Sequence, residues 1–228
     1  MAWRSSGDSN AELVRNLKRH HLFTSPRVEA AMLAVDRRHF CAVDETAYED
    51  APQPIGYNAT ISAPHMHAMC LEAMEPYLQP GARCLDIGSG SGYLVAAMAM
   101  MVGDTGRVFG IEHIPELVRF SAKNLQTHYP DLVESGRVSV AVGDGRTGLP
   151  SEGPFDVIHV GAASAEYPEA LVDQLKTPGI LIVPYGKWDQ MLLQVTKDER
   201  GKIHEKDLCG VRYVPLTDKS KQLGENFF

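Results

Sequence analysis

The stretch Leu85-Asp86-Ile87-Gly88-Ser89-Gly90-Ser91-Gly92 constrains the fold of this chain more than any other. An apolar run ends in closely spaced glycines and reopens at once into the apolar residues 93–101. That reads as a strand, a tight loop and a buried helix. Glycines let the backbone approach a ligand closely, and a helix start offers unpaired N–H groups. The alternation then continues. Residues 107–111 read as a strand followed by a helix over 115–128, and 138–142 as a strand ending in Gly143-Asp144-Gly145. Residues 155–160 read as a strand, with a helix near 169–175 and a further strand at 180–183. Runs 190–196 and 202–208 look like a hairpin about Glu199-Arg200-Gly201. This predicts an α/β, Rossmann-like fold: a mostly parallel sheet with helices on both faces and antiparallel strands at the C-terminal end. Ligands of such sheets bind at the carboxyl ends of the strands, here 88–92, Glu112, Asp144 and Gly161.

Residues 1–80 read differently, as a helical N-terminal extension. Leu13, Val14 and Leu17, then Val28, Ala31, Met32 and Val35, have helical spacing over 12–20 and 26–35. Ser25 with Pro26 reads as an N-cap followed by proline at N1. Pro52, Pro54 and Gly56 forbid a regular helix over 50–56. Another helix is expected from Pro64 to about Tyr77, capped by Ser62 or Ala63. The expected organisation is one domain over 1–228, with the extension leading into a core over 81–228.

Composition narrows the function classes. A chain of 228 residues can bury a core without disulfide or metal staples. Its 22 Lys+Arg against 29 Asp+Glu give a net charge of −7, which argues against a sequence-independent grip on nucleic acid or an anionic membrane. Cys41, Cys70, Cys84 and Cys209 form no CxxC pair and sit among apolar neighbours, as expected of reduced thiols in a cytoplasmic protein. The opening Met1-Ala2-Trp3-Arg4-Ser5 has no apolar signal region, so the glycosylation pattern Asn58-Ala59-Thr60 is not expected to be used. The longest apolar run, 93–102, has roughly half the length a membrane span needs.

The glycine loop also discriminates among ligands. A dinucleotide fingerprint requires glycine at 88, 90 and 93, but residue 93 is Tyr, which disfavours an NAD-dependent oxidoreductase. No Gly-Lys-Ser/Thr follows, so a phosphate loop of the Walker type is absent. Asp86, in an apolar strand, is costly without partners such as loop N–H groups or a cationic ligand. S-adenosylmethionine carries a sulfonium and an ammonium and no phosphates. Glu112 either takes both ribose hydroxyls of such a ligand or is a solvated strand-end carboxylate. Asp144 either accepts from an adenine amino group or is a turn aspartate. Together these features resemble the class I S-adenosylmethionine-dependent methyltransferase pattern over about 83–184.

Ahead of that core, Thr60-Ile61-Ser62-Ala63-Pro64-His65-Met66-His67 carries a hydroxyl into a helix start. Ser62 either caps the helix or serves a site. His65 and His67 lack an evident third ligand, so no metal is expected. This segment, preceded by Pro52-Gln53-Pro54-Ile55-Gly56, closely resembles the protein-L-isoaspartate (D-aspartate) O-methyltransferase family. So do Asp36-Arg37, the glycine loop, Val142-Gly143-Asp144-Gly145-Arg146, Ile158-His159-Val160-Gly161-Ala162-Ala163 and Tyr213-Val214-Pro215-Leu216-Thr217-Asp218. Met1-Ala2-Trp3 looks like animal members, and the resemblance covers nearly the whole chain.

The resemblance implies a repair enzyme. It would methylate the free α-carboxylate of L-isoaspartyl, and D-aspartyl, residues in damaged proteins and peptides, using S-adenosyl-L-methionine and releasing S-adenosyl-L-homocysteine. The ester then closes to a succinimide. By position, Ala59, Thr60, Ile61, Ser62 and His67 fall in the family's cofactor and catalytic segment, with Ser62 at its active-site serine. Asp86, Gly88, Ser89, Gly90 and Ser91 form the cofactor loop, and Glu112, His113, Asp144, Gly145 and Thr217 match further cofactor contacts. Thr60, Ser62 and Val214 fall on the peptide side. A monomer is implied. Departures from the family pattern lie at Glu45-Thr46-Ala47-Tyr48, Thr177-Pro178-Gly179 and Lys187-Trp188-Asp189, and bear on loop geometry and peptide preference. Competing readings are a methyltransferase for small-molecule carboxylates or nucleic acid, and a non-catalytic module that has kept the S-adenosylmethionine pocket. His159-Val160-Gly161-Ala162-Ala163, where nucleic-acid amino-methylating enzymes carry an Asn/Asp-Pro-Pro-Tyr-like motif, disfavours the nucleic-acid case.

Overall fold

A computed structural model describes residues 5–224; Met1-Ala2-Trp3 and Phe227-Phe228 lie outside the described residues. The N-terminal extension forms as its local signals dictate. In α1 (Asn10–Arg19) the Ser9 hydroxyl accepts from the Glu12 N–H, and Leu13, Val14 and Leu17 are buried. Ser25 caps α2 (Pro26–Ala34) and Pro26 occupies its first turn, as expected. A short 3-10 turn (Arg37–Phe40) then leads toward a two-stranded antiparallel hairpin of β1 (Gln53–Gly56) and β2 (Ala59–Ile61). Of the two cap candidates for α3 (Pro64–Met74), the structure selects Ala63, with no side-chain cap bond, so the Ser62 hydroxyl does not cap this helix. The helix ends three residues before Tyr77; residues 75–77 make a turn.

The core follows the expected alternation. β3 (Arg83–Ile87), α4 (Tyr93–Val102), β4 (Arg107–Glu112), α5 (Pro115–His128), a short α6 (Pro130–Glu134) and β5 (Val138–Val142) come first. β6 (Phe155–Val160), α7 (Glu169–Val172), β7 (Leu175–Tyr185), β8 (Gln190–Lys197), β9 (Ile203–Val211) and α8 (Lys219–Gly224) complete the described chain. The seven-stranded sheet has order β5-β4-β3-β6-β7-β8-β9. Pairing is parallel from β5 to β7 and antiparallel from β7 to β9.

Two expectations are corrected. The helix near 169–175 stops at Val172, and β7 begins at Leu175 rather than at 180. Leu175 pairs with Phe155, and an irregularity carries the register to Ile180 opposite Val157. The intervening Pro178-Gly179 pair has the sequence signature of a turn, which hides the first part of the strand. Helices α6 and α8 and the 3-10 turn were not expected; each is too short to show a helical period.

The sheet buries both faces, unevenly. On one face Cys84, Val108, Val157, Ile180 and Ile182 join a cluster that runs through α1, α2, α3, α4 and α5. On the other, Leu85, Ile87, Ile158, Val160, Leu181 and Val183 pack under α7 and loop residues such as Leu149 and Leu216. Nine of the ten α4 residues are buried, the all-round apolar pattern of an internal helix. Strand order reverses between β3 and β6, where loops at the carboxyl ends diverge and leave a crevice.

Candidate active site

The glycine loop turns into α4 at Gly92, whose φ is +91°. A Cβ there would also lie 2.5 Å from the Ser121 hydroxyl, so conformation and space both require glycine. The loop borders two adjoining cavities, both open to solvent, which share Thr60, Gly88, Gly90 and Gly161. Together they form one elongated cleft at the switch point.

The larger cavity gathers the ends of β4 and β5. Ala59, Glu112, His113, Asp144, Gly145, Val214 and Thr217 all line it. Glu112 is 7% exposed, and its carboxylate accepts from Ile114 N–H at 3.0 Å and Gly90 N–H at 3.4 Å. Burial pushes its carboxyl pKa up. A poorly solvated acceptor is thus poised at the cavity wall. Gly145 explains the near approach of the wall opposite: a Cβ would meet Ile87 Cγ2 at 2.4 Å and Leu216 Cδ1 at 3.0 Å. The Asp144 carboxylate is held by Arg146 Nη2 at 2.7 Å and Nε at 3.0 Å, which lowers its pKa, and Arg146 also binds Asp218 at 2.7 Å. This ties the end of β5 to the C-terminal strap. His113 Nε2 lies 2.7 Å from Gln222 Oε1 of α8. Gln222 in turn donates to Tyr57 O at 2.9 Å, so α8 and the β1–β2 turn meet beside the cavity.

The smaller cavity gathers Thr60, Ile61, Ser62, His67, Asp86, Ser89, Ser91, Tyr93 and His159. The structure therefore brings Thr60 and Ser62 together there, while Val214 lies on the larger cavity with the β4 and β5 ends. Asp86 lines this cavity and, among the described residues, is not bonded to a loop N–H. Its carboxylate binds His159 Nδ1 at 2.8 Å, from the adjacent strand in direct register. Both groups are buried. Burial alone would lower the His159 pKa, but the bond to Asp86 outweighs it, with Cys70 contributing, and holds it at about 10. The pair is a buried imidazolium and carboxylate. The Ser89 hydroxyl is buried against Gly110 of β4 and has no hydrogen-bond partner among the described residues.

Ser62 and the Tyr213 phenol are neighbours. Burial pushes that phenol pKa upward, so it stays protonated at neutral pH. Gln190 clamps the Tyr213 backbone from both sides: its Oε1 accepts from Tyr213 N–H at 2.6 Å and its Nε2 donates to Tyr213 O at 3.1 Å. The strap beyond it is pinned to the end of β6 by Ala163 N–H to Val214 O and Leu216 N–H to Ala163 O, both 2.8 Å. His159, Tyr213 and Gln222 were missed as site residues in the sequence. His159 was legible in principle, as the one basic residue of an apolar strand that can neighbour Asp86.

The comparisons with known proteins fit this geometry. The family model "Protein-L-isoaspartate(D-aspartate) O-methyltransferase (PCMT)" matches residues 8–221. The chain belongs to this family. Protein-L-isoaspartate O-methyltransferase 1 of Arabidopsis thaliana is 51% identical over 220 residues, 96% of each chain. The Caenorhabditis elegans protein-L-isoaspartate O-methyltransferase is 49% identical over 228 residues, 99% of this chain and 100% of the relative. Among solved structures, a Plasmodium falciparum protein described as a putative member, in complex with S-adenosyl-L-homocysteine, superposes with TM-score 0.85 at 36% identity. The match covers 92% of this chain and 99% of that one.

Proposed function

We infer that this methyltransferase repairs damaged proteins by esterifying the free α-carboxylate of isoaspartyl residues, with S-adenosyl-L-methionine as methyl donor. The observation that carries the reading is the meeting of Thr60 and Ser62 with the glycine loop in one cleft, in a chain about half identical to named isoaspartate methyltransferases over nearly its whole length. The lining suits the donor. Glu112 is a buried acceptor for ribose hydroxyls, Gly145 leaves room for a flat ring, and among the described residues no Lys or Arg lines either cavity to receive a phosphate. Bound there, S-adenosylmethionine supplies a methyl group activated by a sulfonium.

The acceptor carboxylate is already ionised at neutral pH, so the protein need not remove a proton. One carboxylate oxygen forms the bond to the methyl carbon as the carbon–sulfur bond breaks, and the electron pair leaves on sulfur. What remains for the side chains is alignment and exclusion of water. Ser62 and Thr60 supply hydroxyls that hold the second oxygen. Tyr213 fixes the Ser62 hydroxyl. Ala59, Ile61 and His67 complete the wall on the hairpin and α3, and Gly88, Ser89, Gly90 and Ser91 pass beneath the donor. His113, Asp144 and Thr217 border its nucleoside end, and Val214 the mouth through which a peptide enters. Asp86 supports the loop through its pair with His159.

The reading extends to the whole chain. The extension and the α/β core share one apolar cluster, which supports a single domain over 1–228. All four cysteines are free, as suits a reducing cytosolic compartment, and no helix of the described residues is long and apolar enough to cross a membrane. The net charge of −7 speaks against a nucleic-acid partner, and a monomer is the simplest assembly. Light scattering in solution checks the last point. The role of Ser62 is tested by Ser62→Ala: turnover falls strongly while S-adenosylhomocysteine affinity, read by calorimetry, holds. Equal loss of both would remove Ser62 from the acceptor side.

A further inference from the structure

Arg37 is 1% exposed, yet it carries a guanidinium into the interior beside the cleft. Its Nε donates to Ala47 O at 3.0 Å and its Nη2 to Ala51 O at 3.3 Å. Its Nη1 lies 3.4 Å from His67 Nδ1. A guanidinium has donors and no acceptor, so across this contact Nδ1 must be the acceptor and carry no proton. The ring is also held by its face: it stacks on Tyr93, centroids 4.6 Å apart and planes 23° from parallel, and Tyr93 is braced edge-on by Phe40. Burial, reinforced by the positive charge of Arg37, keeps His67 well below the usual histidine range, hence neutral. Among the described residues no hydrogen bond takes up the other ring nitrogen, and His67 lines the smaller cavity with Ser62, Asp86 and Ser89. The neighbouring His65 is engaged elsewhere, since its N–H and Nδ1 both bind Asp50 Oδ1, at 2.9 and 2.8 Å.

We propose that Arg37 is a positioning residue that fixes His67 in the Nε2–H tautomer, so that His67 presents a neutral N–H donor to a carboxylate bound in the smaller cavity. A neutral donor suits this place. It orients a carboxylate by the direction of its N–H and adds no further charge beside the Asp86–His159 pair. The carboxylate has two sources, the amino-acid end of the donor or the acceptor residue itself. The choice of carboxylate rests on the functional reading above; the tautomer does not.

The test uses the full chain labelled with nitrogen-15 at histidine. Long-range proton–nitrogen spectra at neutral pH are expected to show His67 neutral with its proton on Nε2. An Nδ1–H tautomer, or an imidazolium, overturns the proposal. Arg37→Met should abolish that preference and Arg37→Lys keep it; if the former does not fold, the wild-type spectrum still decides. Function is then read with His67→Gln, whose amide can replace the Nε2 donor, and His67→Asn, whose amide sits nearer Nδ1. The asparagine variant should lose about tenfold or more in binding of the carboxylate, and the glutamine variant much less. If the donor's carboxylate is held, S-adenosylhomocysteine affinity falls and that of 5′-methylthioadenosine, which lacks the amino-acid end, does not. If the acceptor's is held, S-adenosylhomocysteine affinity stays and KM for an isoaspartyl peptide rises. Identical behaviour of the two variants overturns the proposal. A wild-type chain that fails to bind S-adenosylhomocysteine would instead overturn the functional reading and leave the tautomer result standing.

Discussion

On the side of the cleft proposed to hold the nucleoside, the lining positions follow one another along a single sheet. Gly88 follows β3, Glu112 ends β4 and Gly145 follows β5. Each is placed by parallel pairing, and each has its neighbours close in sequence. The side proposed to take the acceptor is assembled from remote pieces. Ser62 comes from the hairpin-to-α3 link, Arg37 from the 3-10 turn, His159 from β6 and Tyr213 from the strap after β9. The first side is a property of the fold, and any sheet of this order offers it. The second has to be built by tertiary contacts, and on the proposed function it is the side that chooses the acceptor. Binding of the donor and choice of acceptor should therefore be separable by mutation.

The deepest break concerns the pair that joins the two sides. Asp86→Asn leaves His159 buried without its counter-charge, and should cost about 3–5 kcal/mol, or about 10 °C in melting temperature. The pH dependence has a definite sign. His159 has its folded pKa raised to about 10 from an ordinary value of 6.5, so its contribution is complete below about 6.5 and is lost as pH rises toward 10. Thermal melts of the parent chain should fall across that window, and Asp86→Asn should flatten this part of the fall. A parent whose stability rises through the window would contradict the pairing.

Next in size is the acceptor hydroxyl. Ser62→Ala should cost about 1.5–3 kcal/mol in transition-state stabilisation, roughly ten- to a hundredfold in kcat/KM, with donor affinity held. Gly145→Ala should do the converse. Its methyl would have to displace Ile87 or Leu216, costing about 1–3 kcal/mol, and calorimetry should show weakened S-adenosylhomocysteine binding with the apparent KM for peptide little changed. Tyr213→Phe removes the phenol hydroxyl beside Ser62 and should lower kcat/KM by about 1 kcal/mol, roughly fivefold. Because it acts through Ser62, the double variant should be little worse than Ser62→Ala alone; additive losses would place Tyr213 outside the acceptor side. Trp188, 87% exposed on the β7–β8 turn, should change stability by less than about 0.5 kcal/mol when cut to Ala in a denaturant titration.

The same division governs what the sequence reveals. β3, β4, β5 and β6 and the long helices were legible because apolar period and glycine punctuation are local signals. The start of β7 was not, because its pairing with Phe155 is long-range and Pro178-Gly179 imitates a turn. Helices α6 and α8 are too short to carry a period. At the site, Glu112, Asp144 and Gly145 announced themselves as strand-end residues. Ser62 and His67 emerged through family resemblance, since a serine before a helix reads equally well as a cap. Asp86 reads in sequence as a costly charge in need of a partner, but nothing local points to His159 of β6, 73 residues away. Arg37 and Tyr213 stand in stretches that carry the family resemblance, but their contacts with His67 and Ser62, like the hold of Gln190 on Tyr213, are set by packing alone.

The central claim is that the cleft methylates a carboxylate displaced by isomerisation of the backbone. It is tested most directly by following labelled methyl transfer from S-adenosylmethionine to two peptides identical except for one residue, isoaspartate in one and aspartate in the other. Transfer to the isoaspartyl peptide alone is the predicted result. Transfer to both alike, or to neither while S-adenosylhomocysteine still binds, would contradict it.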